Sequence, residues 1–186
     1  MEVRAPAVIK LLGEHAVVYG KMSLAVAISL YANANTSVGK ANAFAIELKD
    51  FKKSFEFSED EMRKIHSDYV GRNDINSYVG EHYGKYGDAL PYITIASRLL
   101  VEHGAPLFGR KVSIESGIPV QKGLASSAAC STAFAVALLS SSGIRPDDAE
   151  IIEIARDGDR VIHKNEGAGR IDVNTLGKNS PNLVGG

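Results

Sequence analysis

The chain is poor in several features that would narrow its function quickly, and each absence excludes something. It has one cysteine, Cys130, in 186 residues, so neither a disulfide framework nor a zinc site built on several cysteines is available to it. A reducing, cytosolic setting is the expectation that follows. There is no excess of charge: 21 Lys and Arg stand against 22 Asp and Glu, a formal charge of −1. That balance argues against a dedicated nucleic-acid binder or a polybasic membrane module. Long apolar runs are missing as well. The longest, residues 128–139, is too short and too interrupted by Ser and Thr to span a bilayer. The first residues carry Glu2, Arg4 and Lys10 inside an apolar stretch, so they lack a signal-peptide core. Without secretion, the glycosylation pattern Asn35-Thr36-Ser37 is a chance match. No internal repeat and no linker rich in Pro, Gly or Ser divides the chain.

What is present reads as an ordinary folded domain. Apolar residues make up 45% and charged residues 23%, and a chain of this size can bury roughly 70% of its unfolded surface without a staple. Residues 3–12 are strand-like and end at Gly13, and residues 24–30 form a second apolar run. Phe44, Ile46 and Leu48 alternate with small or polar residues, the period of a half-buried strand over residues 42–49. Ser58 and Glu61 form a capping-box pattern that predicts a helix to about Tyr69. Asp88 is placed to cap a helix ending near Gly104, and Val112, Ile114 and Ile118 predict a strand running into Pro119. Ser126 or Ser127 is expected to cap a helix of small residues reaching about Ser141, stopped by Gly143 and Pro146. Asp147, Asp148 and Glu150 then favour the positive end of a last helix, with Pro146 in its first turn. Its apolar face should carry Ile152, Ala155, Asp159 and Ile162. The fold class expected is α+β.

Three segments carry potential chemistry. Residues 118–129 place a glycine-containing loop and then small residues at a helix start. Unpaired N–H groups and a partial positive charge gather at such an end, and small side chains let a phosphate chain approach. The hydroxyls of Ser126 and Ser127 can cap the helix, bind a phosphate oxygen or ligate Mg²⁺. The segment is neither a Walker A loop nor a Rossmann fingerprint, and its plainer reading is a capped helix packed through its alanines. The second segment, Gly13-Glu14-His15, ends a strand with two polar residues; a satisfied turn is the plainer reading there. The third runs from Asp157 to His163 and on through Gly167-Ala168-Gly169 to Asp172. A carboxylate such as Asp159 on an apolar helix face must pair with a cation or ligate a metal. His163, one turn later, either joins it on a metal or hydrogen-bonds locally. Asp172, after a glycine-rich turn, either faces a substrate or caps a helix.

Together these segments resemble the GHMP kinases, and among them the mevalonate kinase family. The family's first motif, A-P-x-K-x-x-L-x-G-E-H-A-V-V-x-G, is similar to residues 5–20, and residues 21–27 continue the likeness. The second, P-x-x-x-G-L-G-S-S-A-A, is matched by residues 119–129, with Ala125 in place of the middle glycine. Residues 157–163 resemble E-G-E-R-M-I-H, and Arg170-Ile171-Asp172 stands where the family has S-G-[IV]-D. The three matches occur in order and span almost the whole chain.

The resemblance implies a GHMP-kinase N-terminal domain over residues 1–186, with a ribosomal protein S5 domain 2-like fold of a mixed sheet with helices packed on it. The family's late G-A-G-G-G-G motif, and the C-terminal domain that carries it, are absent from these residues. The implied activity is transfer of the ATP γ-phosphoryl group to the hydroxyl of mevalonate, with Mg²⁺. Gly123, Leu124, Ala125, Ser126, Ser127 and Ala128 would bind ATP, and Ser127 and Asp159 would hold the metal. Asp172 would take or orient the acceptor's proton, and Glu14 and His15 would border the acceptor. The motif-one lysine falls at Val8. Lys10, two residues on and thus on the same strand face about 6.6 Å away, would supply that charge. An A-V-I-K pattern like residues 7–10 also resembles mevalonate diphosphate decarboxylases. The spacing from His163 to Asp172 is longer than in the family. Three readings therefore stay open: a mevalonate kinase-like enzyme, a kinase or decarboxylase acting on a phosphorylated mevalonate, and a noncatalytic nucleotide-binding half-kinase. The expected partners are ATP and a small-molecule acceptor, without nucleic acid or membrane, and a homodimer is left open.

Overall fold

A computed structural model of the chain describes residues 1–13, 22, 24–72, 74–120, 122–145 and 147–164. Its five-stranded sheet runs β1 (Glu2–Leu12), β2 (Leu24–Val38), β5 (Arg110–Ser116), β3 (Phe44–Leu48) and β4 (Lys53–Phe57) from edge to edge. All neighbours are antiparallel except β3 and β5, which pair parallel with Ile46 opposite Val112. The expectation of an α+β fold with a mixed sheet holds.

Among the described residues five α-helices accompany the sheet: α1 (Glu59–Val70), α2 (Ile75–Tyr86), α3 (Leu90–His103), α4 (Ser126–Ser141) and α5 (Asp148–His163). Helix α4 lies on β1, β2 and β5, while α5 packs on α4 and α3. A helix covered on opposite sides must be apolar all round, and residues 128–135 and 137–139 of α4 are indeed buried. Its alanines let the layers close tightly. The approach is tightest at Gly158 of α5, where an added Cβ would stand 2.6 Å from Ser131 Oγ and 2.7 Å from Ile95 Cδ1. No helix among the described residues is long and apolar enough to cross a membrane.

Several local expectations need correction. Asp88 caps nothing. It sits in a 3₁₀ turn, Gly87–Ala89, bonded to Lys53 and Tyr83, and α3 begins behind it with Pro91 in its first turn. Strand β2 runs on to Val38, because Ala32 and Ala34 alternate as buried residues with polar neighbours. Helix α2 and strand β4 were not anticipated. In α5, Ile162 is exposed and Val161 buried, so the covered face turns toward Ile154, Ala155, Asp157 and Asp159. Helix α1 starts as expected, with Ser58 Oγ accepting from the Glu61 N–H at 3.3 Å. Asp147 caps α5 by accepting from the Glu150 N–H at 2.9 Å, and Pro146 lies outside the described residues.

Candidate nucleotide-binding site

The loop that leaves β5 turns through Gly123, with φ of 70°, and enters α4 at Ala125, with φ of 56°. Neither Ser126 nor Ser127 caps the helix. The N-cap is Ala125, in the left-handed region and without a side chain to bond. The first backbone bond of α4 joins the Ala129 N–H to the Ala125 carbonyl at 3.0 Å, so the N–H groups ahead of it have no acceptor within the helix. An uncapped start of this kind leaves the positive end of the helix available to an anion.

The serine hydroxyls are used elsewhere. Ser126 Oγ lies 3.2 Å from Ser116 Oγ at the end of β5. Ser127 donates to Asp159 Oδ1 at 2.9 Å, and its hydroxyl is also 2.9 Å from His163 Nε2. His163 Nε2 stands 3.4 Å from the same carboxylate oxygen. Asp159 is 1% exposed, so a carboxylate that looked anomalous on an apolar helix face is turned toward the first turn of α4. His163 resolves in the same way, toward a residue far along the chain.

A cavity of about 790 Å³ opens over this junction. Gly123, Leu124, Ala125, Ser126, Ser127 and His163 line one side, and Phe51, Tyr92, Ile114 and Ile118 give it an apolar wall. Of the expected loop residues only Ala128 is not on the lining; it is fully buried, against the expectation that it binds the nucleotide directly. Lys122 and Asp50 were not singled out from the sequence. Lys122 lines the cavity and is exposed, and Asp50 accepts from the Ser116 N–H at 2.9 Å. Nothing local in the sequence brings the β3–β4 turn to the loop; the parallel pairing of β3 with β5 does. Cys130 is on the floor, where burial pushes its thiol pKa up.

Strand β1 is tied to the loop by the Val8 N–H, which donates to the Leu124 carbonyl at 3.1 Å. Val8 is buried, while Lys10 is half-buried and is not on the cavity lining. The register is continuous from Ala7 to Lys10, so Val8 and Lys10 share a strand face. Lys10 makes no salt bridge with a described residue. Glu14, His15 and Asp172 lie outside the described residues.

The site sits within a recognisable sequence context. Residues 91–176 match the family described as GHMP kinases N terminal domain. The chain is 38% identical over 152 residues to the mevalonate kinase of Thermococcus gammatolerans, covering 79% of this chain and 41% of that protein. It is 34% identical over 153 residues to that of Pyrococcus horikoshii, covering 81% and 41%. The crystal structure of the Methanococcus jannaschii mevalonate kinase superposes with a TM-score of 0.77 over 95% of this chain and 51% of that one, at 24% identity. That last likeness speaks to the fold alone. The chain spans 35–51% of the length of the curated relatives it matches.

Proposed function

The chain carries the N-terminal domain of the GHMP kinases, and from that premise we propose that residues 1–186 form the nucleotide-binding part of a kinase that moves the ATP γ-phosphoryl group to the hydroxyl of mevalonate. The observation that carries the reading is the contact of Ser127 with Asp159 at the open start of α4, beside the cavity.

Phosphoryl transfer asks a protein mainly for positioning and for neutralisation of oxygen charge. In this reading the Gly123-Leu124-Ala125 turn and the free N–H groups of α4 hold phosphate oxygens, with Lys122 adding charge at the rim. The wall of Phe51, Tyr92 and Ile118 takes the base. Ser127 and Asp159 offer one hydroxyl and one carboxylate oxygen from two helices, a hard donor set that suits Mg²⁺, which keeps its other positions for phosphate and water. When bound there, the ion would neutralise developing charge on the phosphate oxygens. His163 holds the Ser127 hydroxyl, and Asp172 takes or orients the proton of the acceptor. Glu14 and His15 border the acceptor, and Lys10 supplies the charge missing at Val8.

Val8 favours a second reading. Buried and bonded to the loop, it cannot bring charge to the phosphates. A relative that acts on a phosphorylated mevalonate, or one that binds nucleotide without turnover, would tolerate it. A coupled ADP-release assay with mevalonate, its phosphate and its diphosphate separates these. Release with mevalonate supports the first reading. Release only with a phosphorylated acceptor, or nucleotide binding without release, supports the second.

A further inference from the structure

Away from the nucleotide cavity, a second group of ligand-type side chains meets where α1 packs beside α2. Asp68 stands in the last turn of α1, and Glu81 and His82 are neighbours in α2. One potential ligand atom from each lies within 4.8 Å of the other two. His82 is 8% exposed. Its Nε2 stands 3.3 Å from Asp68 Oδ2, yet both atoms are buried without a hydrogen-bond partner. The two are close but not aligned to bond, and leaving them so is costly.

That spacing has another meaning. Nitrogen and oxygen ligands at about 2.0–2.2 Å from a tetrahedral zinc stand roughly 3.3–3.5 Å from each other. We propose that Asp68, Glu81 and His82 form a site for a divalent transition metal of the zinc class, which clasps α1 to α2. An imidazole with two carboxylates suits such an ion better than Mg²⁺ or Ca²⁺. The surroundings match the role. The Tyr78 ring lies 4.8 Å from the His82 ring and fixes its plane. Arg72 is ion-paired with Glu81 and orients it, as outer-shell partners of metal ligands do. A cavity of about 450 Å³, lined by Glu81 and His82, gives a path in from solvent. Of the two lysines on that cavity, Lys64 and Lys85, the second is engaged by Glu61 at 2.6 Å.

The test is calorimetric titration of the full chain with Zn²⁺, paired with thermal melts and with visible absorption after Co²⁺ substitution. Asp159→Asn serves as the background, to remove zinc held at the nucleotide site. The expected result is one zinc per chain, a raised melting temperature and the absorption of tetrahedral cobalt. His82→Gln and Glu81→Gln should each weaken binding by about tenfold or more. Glu81 is exposed, so its variant reports on binding even where His82→Gln perturbs the helix pair. Absence of zinc binding in the Asp159→Asn background, or binding of equal affinity in both variants, overturns the proposal.

Discussion

The hydroxyl of Ser127 stands 2.9 Å from the carboxylate of Asp159, joining the first turn of α4 to the last turns of α5. Everything that fixes the height of α5 against α4 therefore sets the geometry of the proposed metal ligands. Two features of α5, immediately before Asp159, do this: the close crossing at Gly158 and the buried charge of Asp157.

Gly158→Ala should be costly although alanine is the better helix former. Its Cβ would meet Ser131 Oγ at 2.6 Å and Ile95 Cδ1 at 2.7 Å, and overpacking of this kind costs about 1–3 kcal/mol. Urea unfolding should report that loss. Because α5 must shift to make room, nucleotide affinity should fall as well.

Asp157 is 2% exposed and is engaged by Arg98 at 2.7 Å, by Arg160 at 3.4 Å and by the Tyr69 hydroxyl at 2.8 Å. The carboxylate holds the Arg98 guanidinium above its usual pKa against the opposing effect of burial, and burial followed by Asp157 pushes the Tyr69 phenol up. Asp157→Ala strips the part-buried Arg98 of its buried partner, leaving it the more exposed Glu102, and should cost about 3 kcal/mol. Tyr69→Phe should cost about 1 kcal/mol. Chemical denaturation of the two variants checks the ranking.

Ala125 occupies the left-handed region that favours glycine, with φ of 56°. Ala125→Gly should raise stability by about 0.5 kcal/mol, the relief of strain exceeding the entropy of the freer unfolded chain. A melting temperature that falls instead would mean that the methyl group, 4% exposed, contributes more by packing than it costs in strain.

His66 gives a pH dependence of definite sign. Burial pushes its imidazole below the usual histidine range, the neighbouring Glu102 charge recovering only part of the shift. The unfolded chain then binds the proton more readily. Stability from this group is full above about pH 6.5 and declines as the pH falls through that value toward the lower folded pKa. Urea midpoints at pH 7.5 and 5 should differ less for His66→Gln than for the parent chain.

Much of this architecture was legible where a local signal was strong. Ser58 with Glu61 marks α1, the acids Asp147, Asp148 and Glu150 mark the start of α5, and the alternation of Phe44, Ile46 and Leu48 marks β3. Helix α2 was not legible. Asp74 caps it through the N–H groups of Asn76 and Ser77, but Gly80 and Gly84 interrupt its pattern. Strand β4 is a five-residue edge beside a turn, too short to stand out. In the site, Asp159 betrayed itself as a charge on an apolar face. Its partner was legible only through the family resemblance, because Ser127 and Asp159 meet through the packing of α5 on α4, and no spacing within either helix encodes that crossing. Ala125 misled the reading of the helix start, since a serine one residue on is the commoner cap and a left-handed alanine is rare.

The most direct test is the Mg²⁺ dependence of ATP binding, measured by calorimetry with and without the ion, in the parent chain and in Asp159→Ala. The parent should bind ATP more tightly with Mg²⁺, and that enhancement should vanish in the variant while metal-free binding is kept. An equal Mg²⁺ enhancement in both would contradict the assignment of Ser127 and Asp159 as the metal-holding pair at the start of α4.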